Sequence, residues 1–328
     1  MTGVQTCALP ISGLYDGLSY SGLDTATAEV SSDNVLCTVN QQEMLLIFGA
    51  GGGAGGTIET WYDAGTLNFP FQRYDGATVE RGAAAPLAIV KEDNSVFFLG
   101  DDLIFYRLNG TIPLRVSTHP LEATWGAFDT VTDAVAFSYT ARGHKFVVLT
   151  FPAALRTFVF DIASGLWHER ESWDESNVTY ERWRVSCHLY CYGKHLVGDA
   201  FSGKIGFLDE TVYTEWGCTI RGQAVAPPIH SDRKRVYMSR FELDIRTGVG
   251  LATGQGSDPQ LMLDWSDDGG ETFKPLQLWR SMGKIGQYLK RLRWLQMGQF
   301  RQRVLRINVT DPVPRVIISA NADISQGM

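Results

Sequence analysis

The residues between Ser266 and Phe273 have the types and spacing of one particular tight turn. The segment reads Ser-Asp-Asp-Gly-Gly-Glu-Thr-Phe. Asp and Ser side chains can accept hydrogen bonds from the backbone N–H groups of a turn, and glycine can adopt the positive φ that such a turn requires. The aromatic residue can pack beneath the turn. The predicted chemistry is therefore local hydrogen bonding that fixes a β-hairpin, carried by Ser266, Asp268, Gly270, Thr272 and Phe273.

This pattern resembles an Asp-box, the S-x-D-x-G-x-T-W hairpin of sialidase-type propellers, with Phe273 in place of the usual tryptophan. It favours a β-hairpin in a propeller or a related fold. The Asp-box is not catalytic even in sialidases. A single copy therefore gives no support for glycosidase activity.

A second candidate is a basic stretch that contains no acidic residue between Arg280 and Arg306. Tyr288, Trp294 and Phe300 are interleaved with its cations in a chain whose net charge is −7. The stretch could face DNA or an acidic partner subunit, or it could be a set of strands with solvated arginine faces. The last interpretation is slightly favoured, and a protein partner is favoured over DNA. The cations are Arg280, Lys284, Lys290, Arg291, Arg293, Arg301, Arg303 and Arg306.

Two further motifs are weaker. The run Gly49–Gly56 contains G-x-G-x-x-G, but Thr57–Tyr62 reads as a strand and a dinucleotide site needs a helix there. A flexible hairpin loop is predicted instead. Cys187, His188, Cys191 and His195 could suggest zinc, but on a strand the two thiols share a face and the histidines point away. Buried thiols are the favoured interpretation.

No catalytic, cofactor-binding or metal-binding residue is predicted. A glycosidase needs two facing carboxylates, and spacing alone does not show this for the acidic loop that contains Glu169, Glu171, Asp174 and Glu175. The sequence also shows no Ser-His-Asp signature and no P-loop.

The elements that must position these residues are strands. Apolar and polar residues alternate in Phe241–Arg246 and Arg303–Thr310, which is typical of half-buried antiparallel strands. Continuous apolar runs such as Phe146–Phe151 predict strands buried on both faces. The best helical candidate is Gly283–Leu295, and Gly286 weakens it.

The predicted fold class is all-β and β-propeller-like. Turn signals divide the chain into loose repeats of ~40–50 residues near 36–80, 81–124, 125–175 and 183–215, a spacing typical of propeller blades. A β-sandwich is the alternative. We expect residues 1–12 to be a leader translated from a sequencing adapter, residues 13–215 to form a propeller truncated at its N-terminus, and residues 216–328 to close the propeller or form a small sandwich.

The composition indicates where in the cell the protein is assembled. No apolar run approaches the ~18 residues of a membrane span, so a soluble protein without a membrane partner is expected. Outside the leader the cysteines are Cys37, Cys187, Cys191 and Cys218. This is too few for a disulfide scaffold, which favours reduced thiols and assembly in a cytoplasm.

Three segments carry a family resemblance. Leu45–Gly65 is a strand ending in Phe-Gly that continues, after a glycine insertion, into a Thr-x-Glu-x-aromatic run. Val96–Glu122 contains Gly100, Tyr-Arg-Leu at 106–108 and Arg-x-Ser-Thr at 115–118. The C-terminal segment contains Phe241–Leu243, Thr247–Val249, Ser266–Gly270, Arg291–Trp294 and Gly298. In this order the segments resemble the packaged-DNA stabilization proteins of short-tailed phages, also called tail accessory, hub or nozzle proteins.

The resemblance implies a virion tail component without enzymatic activity or cofactor, assembled in the bacterial cytoplasm. Family members have a β-propeller body and form a ring, usually sixfold, below the portal and adaptor, where they help retain packaged DNA. The implied partners are other copies of the chain, the portal and adaptor, and other tail proteins. DNA would pass through or rest against the channel without sequence-specific binding, and an acidic net charge suits that role.

Two alternatives remain from the sequence. A receptor- or carbohydrate-binding propeller would expose tryptophans on one face, with Trp167, Trp173 and Trp183 as candidates. Buried tryptophans beneath hairpin turns are the commoner arrangement. A sialidase-like glycosidase would bring an arginine cluster and paired carboxylates together at one mouth of the propeller.

Overall fold

A computed structural model describes residues 8–13, 16–27, 33–50, 55–65, 70–232 and 234–327. The chain divides into two compact units. The first comprises residues 1–171 and 181–208, and the second comprises residues 172–180 and 209–328. Both are built almost entirely from antiparallel strands, which confirms the predicted all-β class.

The first unit begins with a two-stranded ribbon and two four-stranded sheets. The ribbon pairs β1 (Ala8–Gly13) with β2 (Asp16–Thr27). Sheet 1 contains β3 (Val35–Gln41), β4 (Met44–Gly49), β5 (Ile58–Asp63) and β6 (Phe71–Arg73). Sheet 2 contains β7 (Ile89–Glu92), β8 (Ser95–Leu99), β9 (Phe105–Asn109) and β10 (Ile112–Arg115). In both sheets each strand pairs with its neighbour in sequence, because short turns favour antiparallel hairpins.

Two more sheets of the same kind follow. Sheet 3 contains β11 (Val135–Ala141), β12 (His144–Phe151), β13 (Arg156–Asp161), β14 (Leu166–Asp174) and β15 (Thr179–Arg182). Sheet 4 contains β16 (Val185–Cys191), β17 (Lys194–Asp199) and β18 (Ile205–Phe207). Sheets 1, 2 and 4 fall within three of the predicted repeats, to within one residue. Sheet 3 extends past the predicted end of its repeat at residue 175, because β15 ends at Arg182.

Aromatic side chains pack consecutive sheets face to face. In sheet 2, Phe97 and Phe98 point to opposite faces because strand residues alternate. The Phe98 ring lies 5.3 Å from that of Phe48 in sheet 1, and the Phe97 ring lies 6.2 Å from that of Phe160 in sheet 3. Phe97 and Phe98 are fully buried. Sheet 2 is therefore covered on both faces by its neighbours in sequence, which is the packing expected of propeller blades.

The only helix in the described ranges is α1 (His119–Gly126), between sheets 2 and 3. Its Trp125 is fully buried, and the indole lies 5.7–5.9 Å from the rings of Phe151, Phe158 and Trp167. Through Trp125, the helix packs against the aromatic side chains of sheet 3. The sequence pattern does not indicate this helix, because one buried residue in eight gives no apolar stripe.

The second unit consists of two packed sheets and a short hairpin. The hairpin pairs β19 (Thr214–Glu215) with β20 (Cys218–Thr219). One sheet has the order β21 (Gly222–Val225), β27 (Gln302–Val309), β24 (Gln260–Ser266) and β25 (Leu278–Ser281), with β22 (Ile229–His230) also on β27. The other has the order β26 (Leu292–Phe300), β23 (Val236–Ile245) and β28 (Ile317–Gln326).

The core of this unit lies between the two sheets. Phe241 and Trp294 contribute from one sheet, and Leu263 and Leu305 contribute from the other. The alternation in Arg303–Thr310 predicted a half-buried strand, but β27 is largely buried on both faces. The polar face of β27 is buried because its side chains form hydrogen bonds with neighbouring strands. Asn308, for example, accepts a hydrogen bond of 2.8 Å from Gln223 Nε2.

The structure bears on two further predictions, the helical candidate at Gly283–Leu295 and the leader at residues 1–12. The best helical candidate, Gly283–Leu295, is not a helix: residues 283–291 form a loop, and β26 begins at Leu292. Gly283 and Gly286 have φ of +94° and +83°, which no α-helix contains. Residues 1–7 of the expected leader lie outside the described residues, and Ala8–Gly13 form β1, so the leader stays a prediction.

Candidate functional site: an arginine-bound turn and a basic loop

The predicted turn residues form a closed hydrogen-bond network after β24. The Gly270 N–H donates to Ser266 Oγ at 2.9 Å, and the Thr272 N–H donates to both Asp268 carboxylate oxygens at 3.0 Å. The hydroxyls of Ser266 and Thr272 also donate to Asp268. Gly269 and Gly270 take φ of +94° and +108°. The turn has the hydrogen bonds and glycine conformations that its sequence predicts.

The same network sets the protonation of Asp268. Hydrogen bonds from the hydroxyls of Ser266 and Thr272, and then from the Thr272 N–H, hold the Asp268 pKa well below its usual range. A carboxylate that only accepts hydrogen bonds from its own turn has no proton to donate near neutral pH. This geometry supports a structural role for Asp268.

Arg303 binds the turn from β27. Its guanidinium donates to both carboxylate oxygens of Asp267, at 2.7 and 3.1 Å, and to the Met297 carbonyl oxygen at 2.5 Å. It also lies over the rings of Phe300 and Trp265, at 4.3 and 5.2 Å. Arg303 is 2% exposed. This side chain therefore ties the turn to the sheet and does not belong to an exposed basic surface.

Arg306 makes a second connection three residues later. It donates to both carboxylate oxygens of Asp264, at 2.9 and 2.7 Å, and its guanidinium lies over the ring of Phe273. Asp264 is 1% exposed. A buried carboxylate requires such a partner, because an unpaired buried charge is costly.

The structure thus divides the predicted basic stretch. Arg293 pairs with Glu242 at 3.1 Å, and Arg303 and Arg306 pair with aspartates of the turn and of β24. Arg280 donates to the carbonyl oxygens of Arg293 and Trp279. The cations that are exposed and have no ion pair among the described residues are Arg280, Lys284, Lys290, Arg291 and Arg301. Sequence could not separate the two sets, because their carboxylate partners lie 36–51 positions away.

Three of these five cations, Lys284, Lys290 and Arg291, lie on one loop, residues 283–291, which we call the basic loop. The Thr247 hydroxyl donates to the Tyr288 carbonyl oxygen at 2.7 Å, and the Gly248 N–H donates to the Met282 carbonyl oxygen at 3.2 Å. A Cβ on Gly248 would lie 2.6 Å from the Tyr288 ring, so this close approach requires glycine. The loop is held firmly while its tip is exposed: Leu289 is 98% exposed.

The glycine-rich run and the cysteine–histidine cluster both belong to the first unit. Gly49 ends β4 and Ile58 begins β5, so the glycine-rich run joins two antiparallel strands as predicted; Gly51–Ala54 lie outside the described residues. The prediction of buried thiols is wrong for Cys187, which is exposed. His188 Nε2 lies 2.9 Å from His195 Nδ1. Among the residues with assigned positions, no group of three or more His, Cys, Asp or Glu could hold a metal.

A second kind of aspartate-centred turn, which was not predicted from the sequence, occurs in sheets 3 and 4. Asp161 accepts hydrogen bonds from the Ala163 N–H and the Ser164 hydroxyl and contacts His144 Nδ1 at 2.8 Å. Asp199 accepts them from the Phe201 N–H and the Ser202 hydroxyl and pairs with Arg184. The shared Asp-x-x-Ser-Gly spacing at 161–165 and 199–203 was the available signal.

Charge is distributed unevenly between the two parts of the chain. Residues 1–215 contain 13 Lys and Arg against 26 Asp and Glu, whereas residues 216–328 contain 16 against 10. The net charges are −13 and +6. An asymmetry of this size indicates a charged partner or complementary surfaces on the chain itself.

Comparison with protein families decides the assignment. Residues 4–213 match the model described as Bacteriophage P22 Gp10, beta-propeller, and residues 222–325 match Bacteriophage P22 Gp10, beta-sandwich. The chain belongs to the bacteriophage P22 Gp10 family. The two matches cover nearly the whole chain, and they confirm the resemblance to phage tail hub proteins. No curated protein matches the chain.

Membership of the Gp10 family gives the chain its broad role. It is a phage tail structural protein, and its family implies association with other virion proteins. The fold is a β-propeller followed by a β-sandwich, so the sandwich alternative for the C-terminal region is the correct one. Within the described ranges, no helix is long and apolar enough to cross a membrane.

Proposed function

We propose that the chain assembles as a ring, sixfold as the family resemblance suggests, below the portal and adaptor of a short-tailed phage. The ring would narrow the exit channel and help retain packaged DNA in the capsid. The observation that carries this proposal is the match of both the propeller and the sandwich to the Gp10 family. In this account residues 13–215 are the propeller, residues 216–328 are the sandwich, and the protein is assembled in the host cytoplasm.

The charge distribution supports a channel that does not adhere to DNA. The net charge of −13 on residues 1–215 repels phosphates. At physiological salt, this repulsion is largely unscreened only over distances of up to about 10 Å. DNA could then pass without sequence-specific contact. The mechanism is mechanical, since closed rings with large interfaces resist an outward load through contacts between neighbouring subunits.

We also propose that the protein has no enzymatic activity. The turn that resembles an Asp-box uses Ser266, Asp268 and Thr272 for hydrogen bonds within the hairpin. Arg303 and Arg306, which a sialidase-like site would need free for substrate carboxylates, are paired with Asp267 and Asp264. These contacts support a structural use of the cluster.

The experiment that tests the proposal is DNA retention by particles assembled with and without the protein. Particles that lack it should package DNA and then release it, which makes the genome sensitive to added nuclease. Supplying the protein before release should restore protection. Stable, nuclease-resistant genomes in particles without the protein would refute the proposed role.

A further inference from the structure

We infer that the basic loop at residues 283–291 docks on an acidic, aromatic patch of sheet 1 in a second copy of the chain. This inference rests on the proposed ring, and it names the surfaces through which neighbouring subunits would join. The patch consists of exposed residues at one end of sheet 1: Glu43, Met44, Tyr62, Asp63, Tyr74 and Asp75.

The loop combines charge with exposed apolar surface. Ile285, Tyr288 and Leu289 are 65%, 69% and 98% exposed, and Lys284 and Lys290 flank them. Lys290 Nζ donates to Ser281 Oγ at 3.0 Å, and the Lys284 N–H donates to Gln287 Oε1 at 3.1 Å. Exposed apolar side chains on a loop with a fixed backbone lose little entropy on binding, which favours a protein interface.

The patch on sheet 1 is acidic and aromatic, which complements the basic and apolar loop. Residues 35–80 contain five acidic residues and one basic residue, Arg73, which already pairs with Asp75. Met44 and Tyr62 are paired across β4 and β5 and therefore share a face, and the Tyr74 ring lies 6.2 Å from that of Tyr62. The patch thus offers aromatic surface for Leu289, and the exposed Glu43 beside Met44 offers a carboxylate to a lysine of the loop. Asp63 follows Tyr62 on β5 and points to the other face, and Asp75 is paired with Arg73.

A second copy fits these observations better than DNA does. Leu289 and Ile285 at the loop tip have no role against phosphates, whereas aromatic and aliphatic anchors dominate the centres of protein interfaces. Three arginines that would strengthen phosphate binding, Arg293, Arg303 and Arg306, are neutralised within the chain. The complementary net charges of +6 and −13 both belong to this chain, so a second copy can supply an acidic surface without any other partner.

The geometry of such contacts suits a ring. The loop and the patch are different surfaces, so each copy uses one surface toward each neighbour. A head-to-tail interface of this kind closes into a ring when its rotation allows, and otherwise gives a filament. A symmetric dimer would instead use one surface twice.

Sedimentation velocity with two complementary variants tests the inference. Lys284→Glu with Leu289→Ser disables the loop, and Glu43→Lys with Tyr74→Ser disables the patch. Each variant alone should lose the self-association of the wild-type chain. An equal mixture restores one intact loop–patch pair and should therefore form dimers and nothing larger. The matched control, Arg301→Glu with Ile318→Ser, changes an exposed cation and an exposed apolar residue elsewhere in the sandwich and should assemble as the wild type does.

Several outcomes would overturn the inference. If the wild-type chain assembles and either variant assembles equally well, the ring stands and these surfaces are wrong. If the variants stay folded by circular dichroism and their mixture remains monomeric, the pairing is also wrong. DNA binding lost in the loop variant without any change in assembly would assign the loop to DNA.

If the wild-type chain is a monomer in isolation, photo-crosslinking on the portal–adaptor complex tests the loop–patch contact instead. Benzoylphenylalanine at position 289, in a mixture of isotope-labelled and unlabelled chains on the portal–adaptor complex, should crosslink between chains to residues 43–75. Crosslinks to other regions would overturn the docking surface while leaving the ring. Failure of the chain to bind the complex at all would refute the proposed function, and the docking inference with it.

Discussion

The guanidinium of Arg306 lies 3.6 Å from the ring centroid of Phe273, the aromatic residue of the Asp-box-like turn. The arginine comes from β27 and the phenylalanine from the segment after β24. The same guanidinium holds the buried Asp264. A cation stacked on the aromatic ring and paired with a buried carboxylate connects the turn to its sheet, so removing it should affect the stability of the sandwich.

Replacing Arg306 with methionine keeps much of the stem and removes the charge. Asp264 would then be buried without a partner, and breaking a buried pair in this way costs about 3–5 kcal/mol. We expect the free energy of unfolding of the sandwich, from urea titration at pH 7, to fall by that amount. Arg301→Met, at an exposed cation without an ion pair among the described residues, should change it by less than about 0.5 kcal/mol. Equal effects of the two variants would contradict the role of Arg306.

The Asp268 carboxylate should make the sandwich sensitive to acid. Hydrogen bonds from Ser266 and Thr272 lower its folded-state pKa, so the unfolded state binds the proton more readily. The stabilisation is complete above the unfolded pKa of about 4 and is lost as the pH falls below it. Asp268→Asn should lower the urea midpoint at pH 7 and flatten its decline toward pH 2. Asp244→Asn, at an exposed carboxylate outside the turn, is the matched control and should leave the urea midpoint at pH 7 unchanged.

Asp199 should have a related effect on the propeller. Burial alone would raise its pKa, but hydrogen bonds from Arg184, Ser202 and the Phe201 N–H outweigh burial and lower the pKa to about 2. A decrease from about 4 to about 2 corresponds to about 3 kcal/mol of stability at neutral pH. This contribution should be lost as the pH falls from 4 to 2, and Asp199→Asn should lack it. An unchanged acid profile in the variant would contradict the assignment.

The contact between His188 and His195 predicts a different pH window. Burial, and then the neighbouring His195, lower the His188 pKa below its ordinary value of 6.5. Because the unfolded histidine binds a proton more readily, stability is full above pH 6.5 and falls as the pH is lowered through the range below it. His188→Phe, which can keep the stack on Phe137, should reduce the loss between pH 7 and pH 5. Thermal midpoints of the two proteins across that range measure the effect.

The strands were predictable because their signals are local. Turn residues such as Asn109 and Gly110, and alternation in Phe241–Arg246, depend only on neighbouring positions. The hairpin from Ser266 to Phe273 was predictable for the same reason, since its hydrogen bonds link residues two to four positions apart. Features of this kind include the all-β class and the approximate extents of the four sheets.

Which arginines form ion pairs was not predictable, because their carboxylate partners lie far away in the sequence. Arg303 and Arg306 resemble Arg301 in sequence, but they meet Asp267 and Asp264 only after β24 and β27 pair. The loop at residues 283–291 was misread for a similar reason. Its conformation is set by Thr247 and Gly248, whose contacts with Tyr288 are long-range.

The central claim is that the chain is a ring-forming tail subunit, and its most direct test is the mass of the assembly. The full chain would be mixed with purified portal–adaptor complex from a short-tailed phage, and the mass of the complex would be measured by multi-angle light scattering. The account predicts a stable increase equal to a whole ring of copies, about six. A chain that remains monomeric and leaves the mass of the complex unchanged would contradict it.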